Sequence, residues 1–153
     1  MNAIDVSTPS DTEIQMTRVF DAPRDLVFAA HSQAEHLKHW WGRGNPLDVE
    51  IDFRVGGRYR FVEHADGSAH AFRGEYREIS VPDKIVQTFE YEGMPGHIAV
   101  ETLLLEERDG KTYVTSITRF DTRDERDGML NSGMAEGAGQ SYAALAAYLD
   151  TLA

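Results

Sequence analysis

Two alternating segments meet at Asp109-Gly110, and that junction constrains the fold more than any other feature of the chain. Residues 98–106 and 111–120 each place apolar side chains at every second position, and an Asp-Gly pair between them tolerates the positive φ angles of a type I′ turn. The two segments therefore form antiparallel strands. The same pattern recurs upstream. Leu47, Val49, Ile51 and Phe53 alternate with Asp48, Glu50 and Asp52, and Gly56-Gly57 turns the chain. Tyr59 and Phe61 then alternate with Arg58 and Arg60 as far as Ala65-Asp66-Gly67. Residues 71–79 return with Phe72, Gly74 and Tyr76 on one side, and Val81-Pro82-Asp83 leads into residues 84–91. Short turns between half-buried strands imply an antiparallel sheet with one apolar face that needs cover.

That cover must be helical. Residues 13–20 read as a first strand with Ile14, Met16 and Phe20 on one side, and Asp21-Ala22-Pro23 ends it. Pro23 suits a first helical position, so residues 24–32 form a short helix with Leu26, Val27 and Ala30 inward. A second short helix over residues 34–41 carries Leu37, Trp40 and Trp41 and stops at Gly42, Gly44 and Pro46. Near the C-terminus Met134, Ala138, Tyr142, Leu145, Leu149 and Leu152 recur at spacings of three and four, which predicts one long amphipathic helix. It is the only element long enough to cross the sheet. The expected architecture is an α+β helix-grip fold: a curved antiparallel sheet of about seven strands, two short helices after strand 1, and the long helix across the concave face. Residues 12–153 form one domain, and residues 1–11 are expected to be a mobile tail.

Composition narrows the function. A chain of 153 residues with 41% hydrophobic side chains can bury one core without metals or crosslinks. The absence of cysteine excludes disulfides, thiolate metal sites and thiol nucleophiles. A net charge of −11 repels phosphate backbones, so no nucleic-acid partner is expected. No segment approaches the roughly 20 apolar residues of a membrane span. Residues 1–11 lack the basic start and apolar run of a secretion signal, which points to the cytoplasm. There is no G-x-S-x-G elbow, no phosphate-binding glycine loop and no H-E-x-x-H, so nothing demands an enzyme or a cofactor.

The candidate site is the space between sheet and long helix. Tyr59, Phe61, Phe72, Tyr76, Phe89 and Tyr142 can wall an apolar pocket or serve as ordinary core. Trp40 and Trp41 are adjacent, so on a helix they point about 100° apart; one packs inward and the other is placed to line a pocket mouth. Gly133, Gly137 and Gly139 are costly in a helix interior and leave room either for close packing or for a ligand, with Met134 as an adaptable wall. Alternation offers Glu63, Glu101, His97 and Arg119 as polar groups for acid–base work, with Gln87 and Thr115 as orienting groups. His36 and His39 are three apart but lack a matching carboxylate, so they are expected at the surface and no metal site is expected.

The order of several short motifs resembles one family. Phe20-Asp21-Ala22-Pro23, then Leu26-Val27-Phe28, then Leu37 with Trp40-Trp41-Gly42 are similar to the opening of the heat-shock protein 90 ATPase activator homologue family, a START-like branch. Val55-Gly56-Gly57 with Tyr59 and Phe61, Gly74 with Ile79 and Pro82, and Gly139-Gln140-Ser141 before Leu145 extend the likeness over nearly the whole chain after the tail. The resemblance implies a helix-grip fold around a small apolar, ring-containing or lipid-like molecule. It leaves open a cyclase- or dehydratase-type enzyme acting on an aromatic polyketide-like substrate, and a module stimulating a chaperone ATPase. The exposed edges of such a sheet leave a homodimer open as well.

Overall fold

The structure, a computed structural model, describes residues 4–152. Its strands are β1 (Asp5–Ser7), β2 (Glu13–Phe20), β3 (Leu47–Ile51), β4 (Arg58–Ala65), β5 (Ser68–Ser80), β6 (Lys84–Tyr91), β7 (Ala99–Arg108) and β8 (Lys111–Arg119). Four helices join them: α1 (Arg24–Ser32), α2 (Ala34–Leu37), α3 (Arg123–Leu130) and α4 (Met134–Leu152). All eight strands form one antiparallel sheet in the order β1-β2-β8-β7-β6-β5-β4-β3. This is the expected helix-grip α+β fold, with the long helix over the inner face.

The second short helix, expected over residues 34–41, ends at Leu37, so Trp40 and Trp41 stand in the tight turns that follow it; two further elements also differ from the sequence expectation. Asp5–Ser7 is not a free tail but an eighth strand, paired with β2 from Asp5↔Thr17 to Ser7↔Gln15. All three of its residues are exposed, so it carries no apolar period to read. The second addition is α3, a mostly polar helix before α4. Thr122 caps it, its hydroxyl accepting from the Glu125 backbone N–H at 3.1 Å. Gly133 stands between the two helices at φ 86°, a left-handed position, and not inside α4. Both Asp-Gly turns have the positive φ pairs their sequences demand: 53° and 77° at Asp66-Gly67, 53° and 78° at Asp109-Gly110.

The inner face of β2 shows how strictly the pleat sorts side chains. Ile14, Met16, Arg18 and Phe20 are all buried and their neighbours are not. Val27, Ala30, Ile85, Val114 and Leu145 lie at the centre of the core, each no more than 1% exposed. α4 is seated by Tyr142, whose ring meets Phe20 edge-on at 5.3 Å and stacks on Trp40 at 5.9 Å. The Ser141 hydroxyl donates to the Trp41 carbonyl at 3.0 Å and ties the helix to the chain beyond α2.

The sheet is irregular at Gly74 and Glu75 on β5. The Glu75 N–H donates to the Thr88 hydroxyl at 2.9 Å, and the Thr88 carbonyl accepts from the Tyr59 hydroxyl at 2.5 Å. The Tyr59 ring reaches that carbonyl by lying across Gly74, where a Cβ would stand 2.5 Å from its ring. A register shift between Tyr76 and Glu78 follows. Gly74 is thus glycine because an aromatic ring occupies its side-chain space.

Candidate functional site

The aromatic residues singled out in the sequence separate into two groups on the inner face. Trp40, Tyr59, Phe61 and Tyr76 are at most 4% exposed and Tyr142 is 9% exposed, so these five belong to the closed core. Trp40 donates its ring N–H to the Ala30 carbonyl at 2.9 Å, which resolves the Trp40/Trp41 choice in favour of Trp40 as the inward one. Trp41, Phe72, Phe89, Met134 and Gly137 remain partly exposed. Trp41 contacts Phe61 and Phe72 at 5.1 Å each, and Phe72 stacks on Phe89 at 5.6 Å. A side chain at Gly137 would meet Arg43 Nη1 at 3.5 Å, so this glycine faces the loop after α2.

The polar candidates separate as sharply. Gln87 and Glu101 sit opposite each other on β6 and β7, on the same face as Phe89. The Ser116 hydroxyl on β8 is 3.4 Å from Glu101 Oε2. Burial raises the Glu101 carboxyl above the usual carboxylate range, and the Ser116 contact offsets this only in part. Glu63 also points inward but is engaged, accepting from Arg43 Nη2 and Asn45 Nδ2 at 2.9 Å each, so it anchors the loop before β3.

Three sequence candidates lie elsewhere. His97 is exposed and pairs with Glu125 at 2.6 Å. Arg119 is exposed and Thr115 faces the outer side of the sheet, because the inward set of β8 is Thr112, Val114, Ser116 and Thr118. His36 and His39 both rest on Tyr148: Nδ1 of His36 is 2.6 Å from its hydroxyl, and the His39 ring stacks on it at 4.9 Å. Among the described residues no group of three metal-ligating side chains converges.

Arg18 was missed by sequence reasoning, although the alternation of Ile14, Met16 and Phe20 places it on the inner face. It is 9% exposed, and its guanidinium carbon lies 4.8 Å from the Phe20 ring centroid. Nε is sealed from water without a hydrogen-bond partner. No carboxylate among the described residues pairs with it, and burial pulls its pKa down. Tyr142 lies within the field of both charges. Its phenol is raised first by burial and then by Glu101, while Arg18 lowers it.

The outer face of the sheet carries a wider groove of about 750 Å³ along β2, β8 and β7. Most charges on its walls are paired, Lys84 with Glu78 at 3.0 Å, Arg108 with Glu106 at 2.8 Å and Asp83 with Arg24 at 3.0 Å, and the backbone of Arg18 runs along it. The inner face carries the unpaired Arg18 side chain and Glu101, whose carboxyl burial raises.

A family model described as Activator of Hsp90 ATPase homolog 1-like protein matches residues 21–150. The chain belongs to this family. Solved structures agree with the assignment. A protein from Rhodobacter sphaeroides superposes with a TM-score of 0.89 at 25% identity, covering 98% of this chain and 99% of that one. One from Chromobacterium violaceum gives 0.78 at 28% identity, over 91% and 97% of the two chains. An HSP90 activator from Plasmodium falciparum gives 0.63 at 20% identity over 82% and 89%, a likeness of fold. No curated protein matches the chain. Ala22-Pro23 precedes α1, and Trp40-Trp41-Gly42 lies in the turns after α2 that carry Trp41 to the aromatic wall. No helix among the described residues is long and apolar enough to cross a membrane.

Proposed function

We propose that this protein binds a small, apolar, ring-containing molecule on the inner face of its sheet beneath the first turns of α4. The observation that carries the reading is the partly exposed, mutually contacting cluster of Trp41, Phe72, Phe89 and Tyr91 beside a closed set of Trp40, Tyr59, Phe61, Tyr76 and Tyr142. Aromatic rings left accessible on a concave surface, with few polar groups beside them, are the usual lining of a small-molecule site. Glu101 and Gln87 supply the orienting hydrogen bonds. A carboxyl group accepts from a phenol when ionised and donates to a ketone oxygen when protonated, so Glu101 can orient either kind of ring oxygen. Carriage, with no turnover, is the reading favoured.

A thermal-shift panel of fatty acids, sterols, flavonoids and aromatic polyketides tests this. A ligand at about 100 times its Kd adds roughly 2.7 kcal/mol, several degrees in a domain of this size. Ala138 shares the inward stripe of Tyr142 and Leu145, so Ala138→Trp should abolish the shift while the fold persists. Absence of any shift across the panel would remove the reading. A hit also tests Glu101. Wild-type affinity should change as pH passes through the raised Glu101 pKa, and Glu101→Gln should remove that dependence. Equal pH profiles for the two proteins would take Glu101 out of the site.

A second reading rests on the family description, which names activation of the Hsp90 ATPase. Adding the purified chain to its cognate chaperone should then raise the ATPase rate. An unchanged rate would discard that role without touching the first.

A further inference from the structure

Tyr91 is the phenol of the partly exposed aromatic cluster, and its neighbours fix where its hydroxyl stands. The ring meets Phe72 across the β5–β6 pair at 5.2 Å. It also lies back over Gly93, where a Cβ would stand 2.6 Å from the ring and 2.8 Å from the hydroxyl oxygen. That oxygen is 2.9 Å from Nδ1 of His70, two residues before Phe72 on β5 and therefore on the same face. Other tyrosine hydroxyls are closed in by their partners. Tyr59 donates to the buried Thr88 carbonyl, and Tyr148 meets His36 between α2 and α4 with the His39 ring stacked on it. Tyr91 and His70 both remain partly exposed, so this hydroxyl is oriented before any ligand arrives.

We propose that Tyr91 accepts a hydrogen bond from a hydroxyl of the bound molecule, so that the ligand is a neutral phenol with its ring against Phe72 and Trp41, and that His70 positions Tyr91 for this contact. This rests on the binding role proposed above and names its ligand class. A phenol O–H is a strong donor and an unprotonated imidazole nitrogen a strong acceptor, so Tyr91 donates to Nδ1 and the proton of neutral His70 sits on Nε2. A hydroxyl that donates on one side keeps oxygen lone pairs for the other, and the first bond polarises it toward accepting. A ligand O–H fills that position, whereas an ether or ketone, which only accepts, does not. The arginines around this end of the sheet are engaged by carboxylates: Arg43 by Glu63 at 2.9 Å, Arg60 by Glu92 at 2.8 Å and Arg73 by Glu90 at 3.0 Å. None is left for an anionic ligand, and the net charge of −11 repels one. Trp41 and Tyr91 flank Phe72 at 5.1 and 5.2 Å, an apolar wall suited to a molecule of one or two rings.

The test compares 2-naphthol with 2-methoxynaphthalene, a fluorescent pair of the same ring system that differs in one donor, by titration at neutral pH, where both are uncharged. Wild type should bind the naphthol about fivefold more tightly or better, the effect of one hydrogen bond. Tyr91→Phe should erase that preference and hold methoxynaphthalene binding within about twofold, because only an oxygen is removed. His70→Leu should weaken the preference, whereas His70→Gln, whose side-chain oxygen still accepts from Tyr91, should keep most of it. If His70 serves strand pairing alone, both of its variants will melt lower with the preference untouched, and its positioning role is overturned. Equal binding of the two probes to wild type, or a naphthol preference that survives Tyr91→Phe, overturns the role of Tyr91 and leaves the binding role standing. Binding of neither probe counts against both, and the wild-type comparison decides the matter if Tyr91→Phe fails to fold.

Discussion

Acidification from pH 7 to pH 4 should cost this fold about 3 kcal/mol through a single side chain, His31 on α1. Its Nδ1 lies 2.8 Å from the Val27 carbonyl, an acceptor only, so Nδ1 carries the proton and donates it. Nε2 is sealed without a partner, and the Trp40 and Tyr142 rings stand 5.0 and 6.1 Å away. Protonating Nε2 would create a buried N–H and a charge with no acceptor. Burial accordingly lowers the His31 pKa from 6.5 to about 4, the Val27 contact offsetting only a little. The unfolded chain therefore binds a proton that the folded one refuses across that window. Stability is fully present above pH 6.5 and is lost as pH falls toward 4, at about 1.36 kcal/mol for each pKa step. Glu101 acts in the opposite sense, because its raised pKa means stability is lost as pH rises through the window above its ordinary value. Denaturant unfolding of wild type and His31→Phe at each pH isolates the histidine. The difference between them should shrink or reverse by about 3 kcal/mol between pH 7 and pH 4. A constant difference would mean that His31 is not shut away from water.

Gly74→Ala should be the most damaging single methyl in the sheet, at about 3 kcal/mol, or roughly 6–12 °C in Tm. The added carbon would stand 2.0 Å from the Thr88 carbonyl oxygen and 2.5 Å from the Tyr59 ring. Neither can yield cheaply: the first is backbone, and Tyr59 is only 2% exposed. If the ring shifts, its hydrogen bond to Thr88 is lost as well, leaving a buried hydroxyl and a carbonyl unsatisfied. Gly128→Ala on α3 is the control, since nothing lies within 4 Å of its side-chain position and alanine is the better helix former. Calorimetric melts of both variants decide it. A Gly74→Ala protein melting within 2 °C of wild type would contradict the placement of Tyr59 across β5.

The sheet and its covering helix were legible because each inner face repeats every second residue and α4 repeats every three to four. The losses have specific causes. Asp5–Ser7 pairs by backbone alone, and three exposed residues leave no hydrophobic signal. α3 is largely polar, and its mark is the Thr122-x-x-Glu125 capping pattern, a cue from hydrogen bonding and not from hydrophobicity. Arg18 occupies an inward register position that the alternation of its own strand announces, yet a charged side chain does not enter a list of apolar positions. The aromatic candidates were found as types, but only burial separates Trp41, Phe72 and Phe89 from the closed core. Sequence alternation gives the face a side chain points to, while the degree of closure depends on where α4 lies above it.

The three residues of β1 give the sheet its outer margin. β2 is eight residues long, and without a neighbour its free side would present a line of unused amide and carbonyl groups. β1 occupies part of that line and presents Asp5 at the new margin. At the far margin β3 is five residues long and bears Asp48 and Glu50 on its outward positions. Short, acidic borders on both sides repel a second sheet approaching side-on, so this short stretch acts as a guard against runaway strand-to-strand assembly at high protein concentration.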